Sequence, residues 1–129
     1  MGFAKTHSSP LRENPMPLPR ELLLQLAAQH GTPLFVYDGD LIVQRYQDLA
    51  KYITWPKLRV LYAMKANYCP AILRELNAIG GWLDTVSPGD VMLARQCGFT
   101  PDRLLYTANN LTDAEVAAVM AQGVLMNFD

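Results

Sequence analysis

Lys65 sits at the end of the apolar run Leu61-Tyr-Ala-Met-Lys-Ala-Asn67, and Asp84 lies in the next such run, Trp82-Leu-Asp-Thr-Val86. A primary amine at the end of a strand can add to a carbonyl carbon and form a Schiff base. Burial favours the neutral, nucleophilic form of an amine over the ammonium. An acid on the neighbouring strand can orient that amine or contact whatever binds to it. Asn109 follows a third run. Each of these residues also has a purely structural reading. Lysine at a strand end commonly extends into solvent, and Asp or Asn after a strand commonly caps a helix or makes a turn. On composition and spacing alone the structural reading is favoured. Ser87, in Ser87-Pro-Gly-Asp90, reads first as an N-cap with Pro88 in the first helical position. Its second reading is a ligand contact at a helix N-terminus.

The elements that must position these residues follow a rhythm. Apolar runs at residues 58–64, 82–86, 103–107 and 124–128 recur at near-equal intervals. Between them lie segments with helix punctuation. One opens at Pro70 and closes at Gly80-Gly81, and the next opens at Pro88 and closes at Gly98. The third opens on the capping box Thr112-Asp-Ala-Glu115 and closes at Gly123. Alternating strands and helices of this kind predict βα units and a parallel sheet buried on both faces. Right-handed crossovers leave an open doubly wound sheet or a closed barrel. The glycine fingerprint of dinucleotide folds follows none of the strands, which disfavours the first. The short period suits a (β/α)8 barrel, whose functional groups sit at the C-terminal ends of strands. Such a barrel takes ~250 residues, so four units are expected to be its N-terminal half. If Lys65 continues the strand alternation, it shares a face with Leu61 and Ala63 and enters the barrel mouth from within.

Upstream, residues 1–18 read as a flexible, proline-punctuated arm. Residues 19–54 read as a helix-strand-helix lead-in, with helices at 19–30 and about 40–53 and a short β run at 34–37. Residues 55–129 then hold the first four units of the barrel.

Bulk properties narrow the function. Of the 129 residues, 50% are hydrophobic and 18% charged, an ordinary globular composition. A net charge of −1 with scattered Lys and Arg leaves no footprint for nucleic acid. No run approaches the ~20 apolar residues of a membrane span. Cys69, Cys97, His7 and His30 show no metal-ligand spacing. Two thiols in a chain of this size fit a reducing cytoplasm.

Three blocks add a resemblance. Gly31-Thr-Pro-Leu-Phe-Val-Tyr-Asp38, Tyr62-Ala-Met-Lys-Ala-Asn67 and Leu83-Asp-Thr-Val-Ser-Pro-Gly-Asp90 resemble, in order and spacing, the fold-type III pyridoxal-phosphate decarboxylases. Within them the chain is most similar to the diaminopimelate branch, with ornithine and arginine decarboxylases as relatives. The resemblance implies an alanine-racemase-like barrel followed by a C-terminal β-domain, which the 34–37 strand would join. It implies that Lys65 forms the Schiff base with pyridoxal 5'-phosphate, that Asp84 stands beside the cofactor, and that Ser87 and Asp90 fall in the segment after it. It also implies a small amino-acid substrate, a homodimer with sites at the interface, and further site residues beyond Asp129. On this basis the chain is expected to be the lysine-bearing part of an amino-acid carboxy-lyase, inactive alone. The alternatives are a non-catalytic truncated fragment of that family, a decarboxylase of ornithine or arginine type, and a Schiff-base aldolase on a phosphosugar barrel. The aldolase leaves the 31–38 block unexplained.

Overall fold

The structure is a computed structural model that describes residues 18–128. The expected arm at 1–18 lies almost wholly outside those residues. The chain divides into two units, Met1–Asp38 and Gly39–Asp129.

In the first unit, helix α1 (Arg20–His30) begins after Pro19 and ends where the Gly31 amide donates to the Ala27 carbonyl at 2.9 Å. None of its residues is buried. The expected β run at 34–37 forms no ladder among the described residues. A strand needs a neighbour for its backbone N–H and C=O groups, and Phe35 is 84% exposed.

The second unit opens with helix α2 (Gly39–Tyr52). Strand β1 (Leu61–Ala63), helix α3 (Pro70–Ala78), strand β2 (Trp82–Thr85), helix α4 (Pro88–Gln96), strand β3 (Leu104–Thr107), helix α5 (Asp113–Met120) and strand β4 (Leu125–Asn127) follow. The unit boundary falls ahead of α2, which the sequence groups with the lead-in. Ile42 and Tyr46 of that helix pack on the core of the sheet. The helix starts follow the punctuation. Pro70 and Pro88 occupy first-turn positions, where a missing N–H costs nothing. Thr112 and Glu115 complete a reciprocal capping box on α5.

All strand pairs are parallel, in the order β1-β2-β3-β4. A doubly wound sheet reverses its strand order at a switch point. This sheet does not, and so follows the one-way winding of a barrel.

The register sorts side chains onto two faces. Leu83 and Leu104 are partners, as are Thr85 and Tyr106, and all four are fully buried. Against them pack Leu73 and Leu76 of α3, Val91 and Ala94 of α4, and Val119 of α5. The alternate residues Trp82, Asp84, Leu105 and Thr107 are only half-buried, and Leu125 is 58% exposed. The expected burial on both faces therefore holds for one face. Among the described residues no helix covers the other.

Opposite the strand ends that carry the candidate residues, Arg103, ahead of β3, is tied to the end of α3 and the loop into β2. Its guanidinium donates to the carbonyls of Asn77 and Gly81, each at 3.3 Å, and to Asn77 Oδ1. It also lies 5.2 Å over the Phe99 ring. Charge-assisted bonds to several acceptors hold this turn more firmly than neutral ones would.

Candidate active site

Lys65 is not on the strand. β1 ends at Ala63, and residues Met64–Ala66 form a single 3-10 turn closed by Asn67 N–H donating to the Met64 carbonyl at 3.0 Å. Strand alternation therefore does not set the direction of the lysine. This corrects the expectation that Lys65 lies on the strand itself: it stands in the turn that directly follows β1. The turn buries Met64 completely and leaves Lys65 exposed. Among the described residues the ammonium group has no ion pair or hydrogen bond. The turn is held on its far side by Asn67, whose Oδ1 accepts from the Cys69 amide at 2.9 Å and so leads the chain into α3. This is a side-chain turn that short polar residues favour.

Asp84 is on the strand, as expected. It is the register partner of Ala63 on one side and of Leu105 on the other. That parity places it on the uncovered face, near the C-terminal end of β2. Its Oδ1 is buried and has no hydrogen-bond partner among the described residues. Burying a carboxylate oxygen without a donor is costly, and such an atom in a native fold calls for a ligand or a functional reason.

Ser87 takes the first of its two sequence readings. It caps α4, its Oγ accepting from the Asp90 amide at 3.1 Å. Asp90 is buried and closes the motif backwards, its carboxylate accepting from the Val86 amide at 2.9 Å. The Ser87 hydroxyl still carries its own proton, which it can donate to another acceptor. Asn109 is exposed in the bend after β3.

Lys65, Asp84 and Ser87 thus lie at one end of the sheet, on adjacent βα connections. Lys65 follows β1 by two residues and Asp84 pairs with the last residue of β1. Ser87 is two residues past β2. A nucleophilic amine, an unsatisfied acid and a hydroxyl at the C-terminal end of parallel strands can hold a carbonyl compound that also carries polar groups. The unsatisfied Oδ1 is what the arrangement would supply to such a ligand, so the residues present fit a carbonyl cofactor. Among the described residues no group of three His, Cys, Asp or Glu could hold a metal ion.

Two environments on the covered face are also perturbed. Burial, with the nearby charges of Glu115 and Asp90, pushes the Tyr106 phenol above its usual range. Backbone and hydroxyl hydrogen bonds from Thr112 hold Glu115 below the ordinary carboxylate range.

Sequence reasoning missed Tyr46. From α2 its hydroxyl bonds the Val60 carbonyl just ahead of β1 and the Trp82 amide of β2. A tyrosine facing an apolar stripe with no other polar group nearby is the one signal that could have flagged it, since a buried phenol needs a partner.

Comparison with known proteins agrees with the geometry. Residues 40–129 match the family described as pyridoxal-dependent decarboxylase, pyridoxal binding domain. A diaminopimelate decarboxylase of Methanothermobacter thermautotrophicus is 40% identical over 108 residues, which is 82% of this chain and 25% of the relative. Diaminopimelate decarboxylase from Helicobacter pylori, solved in complex with L-lysine, superposes with a TM-score of 0.76 at 27% identity, over 81% of this chain and 27% of that one. Lysine decarboxylase from Selenomonas ruminantium does so with a TM-score of 0.77 at 27% identity, over 87% and 29%. The chain spans about a quarter of the length of the relatives it matches. A lone four-strand βα sheet with an amine and an unsatisfied acid at its C-terminal rim, matched over most of its second unit, belongs to the pyridoxal-dependent decarboxylases, as part of their pyridoxal-binding domain.

Proposed function

We propose that this chain is the lysine-bearing part of a pyridoxal 5'-phosphate-dependent amino-acid decarboxylase, with meso-diaminopimelate as substrate in lysine synthesis. The observation that carries the reading is the buried Asp84 oxygen that no group among the described residues satisfies, at the strand end where Ala63, two residues before Lys65, is the register partner of Asp84. The likeness to diaminopimelate decarboxylases supports the choice of substrate.

When bound, the cofactor supplies an electron sink for the pair left behind as a carboxylate departs. The chain's own residues have narrower tasks. Lys65 presents Nζ as the nucleophile for a carbonyl carbon and as a carrier of a proton at that atom. Asp84 Oδ1 accepts a hydrogen bond from the bound group and orients it. Ser87 donates its hydroxyl proton to an acceptor of the ligand while its oxygen keeps capping α4. These residues leave an anchor for the phosphate and a partner for the ring nitrogen to other parts of the protein, so the 129 residues are inactive by themselves on this reading. The protein works as a homodimer in the cytoplasm, and residues 34–37 pair with a C-terminal β-domain. Two free thiols, Cys69 and Cys97, support the compartment.

Borohydride reduction of the cofactor-loaded protein, followed by peptide mass spectrometry, should find the cofactor's mass on Lys65. Label on another lysine, or on none, removes the proposal. Assays with diaminopimelate, ornithine and arginine then separate the substrate classes.

A further inference from the structure

The strand pair that contains Asp84 and leads into the Lys65 turn is short. β1 contributes three residues to it, with Leu61, Tyr62 and Ala63 opposite Trp82, Leu83 and Asp84. Because side chains alternate, a slip of one residue between the two strands would send Asp84 to the helix-covered face. Something must hold the register.

At the N-terminal end of this pair a side chain stands where a ladder bond is expected. The Val60 carbonyl and the Trp82 amide both bond to the hydroxyl of Tyr46, from α2. The phenol donates to Val60 O and accepts from Trp82 N–H at 3.0 Å. One hydroxyl therefore continues the ladder by one rung. It uses its donor and an acceptor lone pair on two different strands at once. Gly81, just before Trp82, is packed against the end of α3 and touches the ring. A Cβ on Gly81 would come 2.7 Å from the Leu76 carbonyl oxygen and 3.4 Å from Tyr46 Cζ. A residue larger than glycine there would have to displace the Leu76 backbone beside the phenol.

We propose that Tyr46 is a positioning residue, whose hydroxyl sets the register and separation of β1 and β2 and thereby the relation of Lys65 to Asp84. The proposal rests on the decarboxylase reading for its effect on the reaction, though not for the bridge itself. Tyr46 lies at the opposite end of the strands from Lys65 and touches no reacting atom. It acts through three residues of strand, too short a lever to absorb a shift at its base. A misplacement of about 1 Å at a reacting centre can cost on the order of a hundredfold in rate.

Tyr46→Phe keeps the ring and removes the hydroxyl. Thr112→Ala, which loosens the α5 cap, serves as the control for general destabilisation. In the cofactor-loaded protein we expect Tyr46→Phe to lower kcat about tenfold with KM within about twofold, the split that marks lost transition-state alignment. We also expect it to move the absorbance band of the bound cofactor and to speed exchange of the Trp82 amide about tenfold. Thr112→Ala should do none of these. A Tyr46→Phe protein that loses Tm like the control but keeps wild-type kcat and absorbance overturns the proposal, as does an unchanged exchange rate at Trp82. If the wild-type protein carries no cofactor on Lys65, the decarboxylase reading falls separately. Exchange at Trp82 then decides the bridge: faster exchange in the variant upholds it, and an unchanged rate removes it.

Discussion

Alternate residues of the same strands build two unlike faces. The helix-covered face is Leu83, Thr85, Leu104 and Tyr106, each without measurable exposure and packed on α3, α4 and α5. Its one short polar side chain, Thr85, is satisfied by the Leu105 carbonyl at 3.0 Å. The other face, made by Leu61, Ala63, Trp82, Asp84, Leu105 and Thr107, is half-buried and holds an acid with an unsatisfied oxygen. One face is optimised for burial, while the other keeps a polar group at a cost in stability. That cost marks a place where binding matters more than packing.

The sharpest break between the faces comes from changing one residue at each. Lys65→Ala should lower decarboxylation in the cofactor-loaded protein by at least ~10²-fold. It should leave the urea midpoint almost unmoved, because substitutions of exposed, unpartnered residues usually lie within about 0.5 kcal/mol. Leu83→Ala should do the reverse. It removes a fully buried side chain beneath three helices, at a cost of about 2–5 kcal/mol in urea unfolding. Leu105→Ala, one register step away on the other face, should cost about 1 kcal/mol. Equal losses for the two leucines would show that both faces are packed alike.

How far the sequence alone reaches follows the same division. Periodicity and punctuation locate α3, α4 and α5 to within a residue or two, because proline, glycine and the Thr112–Glu115 box act locally on the backbone. The covered face is legible for the same reason, through the alternation of 82–86 and 103–107. Position on the strand also places Asp84 correctly. Lys65 is different. Its placement depends on where β1 stops, and the 3-10 turn at Met64 is closed by one backbone bond that no side-chain pattern announces. The role of Tyr46 is less legible still. It joins Val60 and Trp82, 14 and 36 residues away, and a bridge of that span exists only once the strands are paired. Residues 34–37 look like a strand because their side chains favour one, but pairing requires a partner that the described residues do not supply.

Asp84→Asn sharpens the comparison at intermediate magnitude. It keeps the volume and removes the charge. If Oδ1 is held without a protein partner for the sake of a ligand, the variant should lose about tenfold or more in kcat while Tm stays level or rises. The gain arises because a neutral amide is cheaper to leave partly unsatisfied than a carboxylate. A clear fall in Tm, read by calorimetry on the cofactor-free protein, would mean that the carboxylate stabilises the fold and that the face owes its polarity to structure.

The smallest effect is electrostatic and belongs to the packed side of the molecule. Glu115 Oε2 accepts from Thr112 N at 2.9 Å and from Thr112 Oγ1 at 2.8 Å, and these bonds hold its carboxyl below the ordinary range. The folded state therefore favours the charged form. Its contribution to stability is complete above the unfolded value of about 4.3 and is lost as pH falls through the lower folded value. Glu115→Gln should flatten the acid limb of a stability-versus-pH curve in that window and leave the curve near neutrality almost parallel to wild type. Thr112→Ala should flatten the same limb, since it removes the hydroxyl bond to the carboxylate, and should also lower the neutral plateau by about 1 kcal/mol through loss of the cap. If the acid limb keeps its slope in both variants, the proton uptake does not come from Glu115 and the capping box carries no pH dependence.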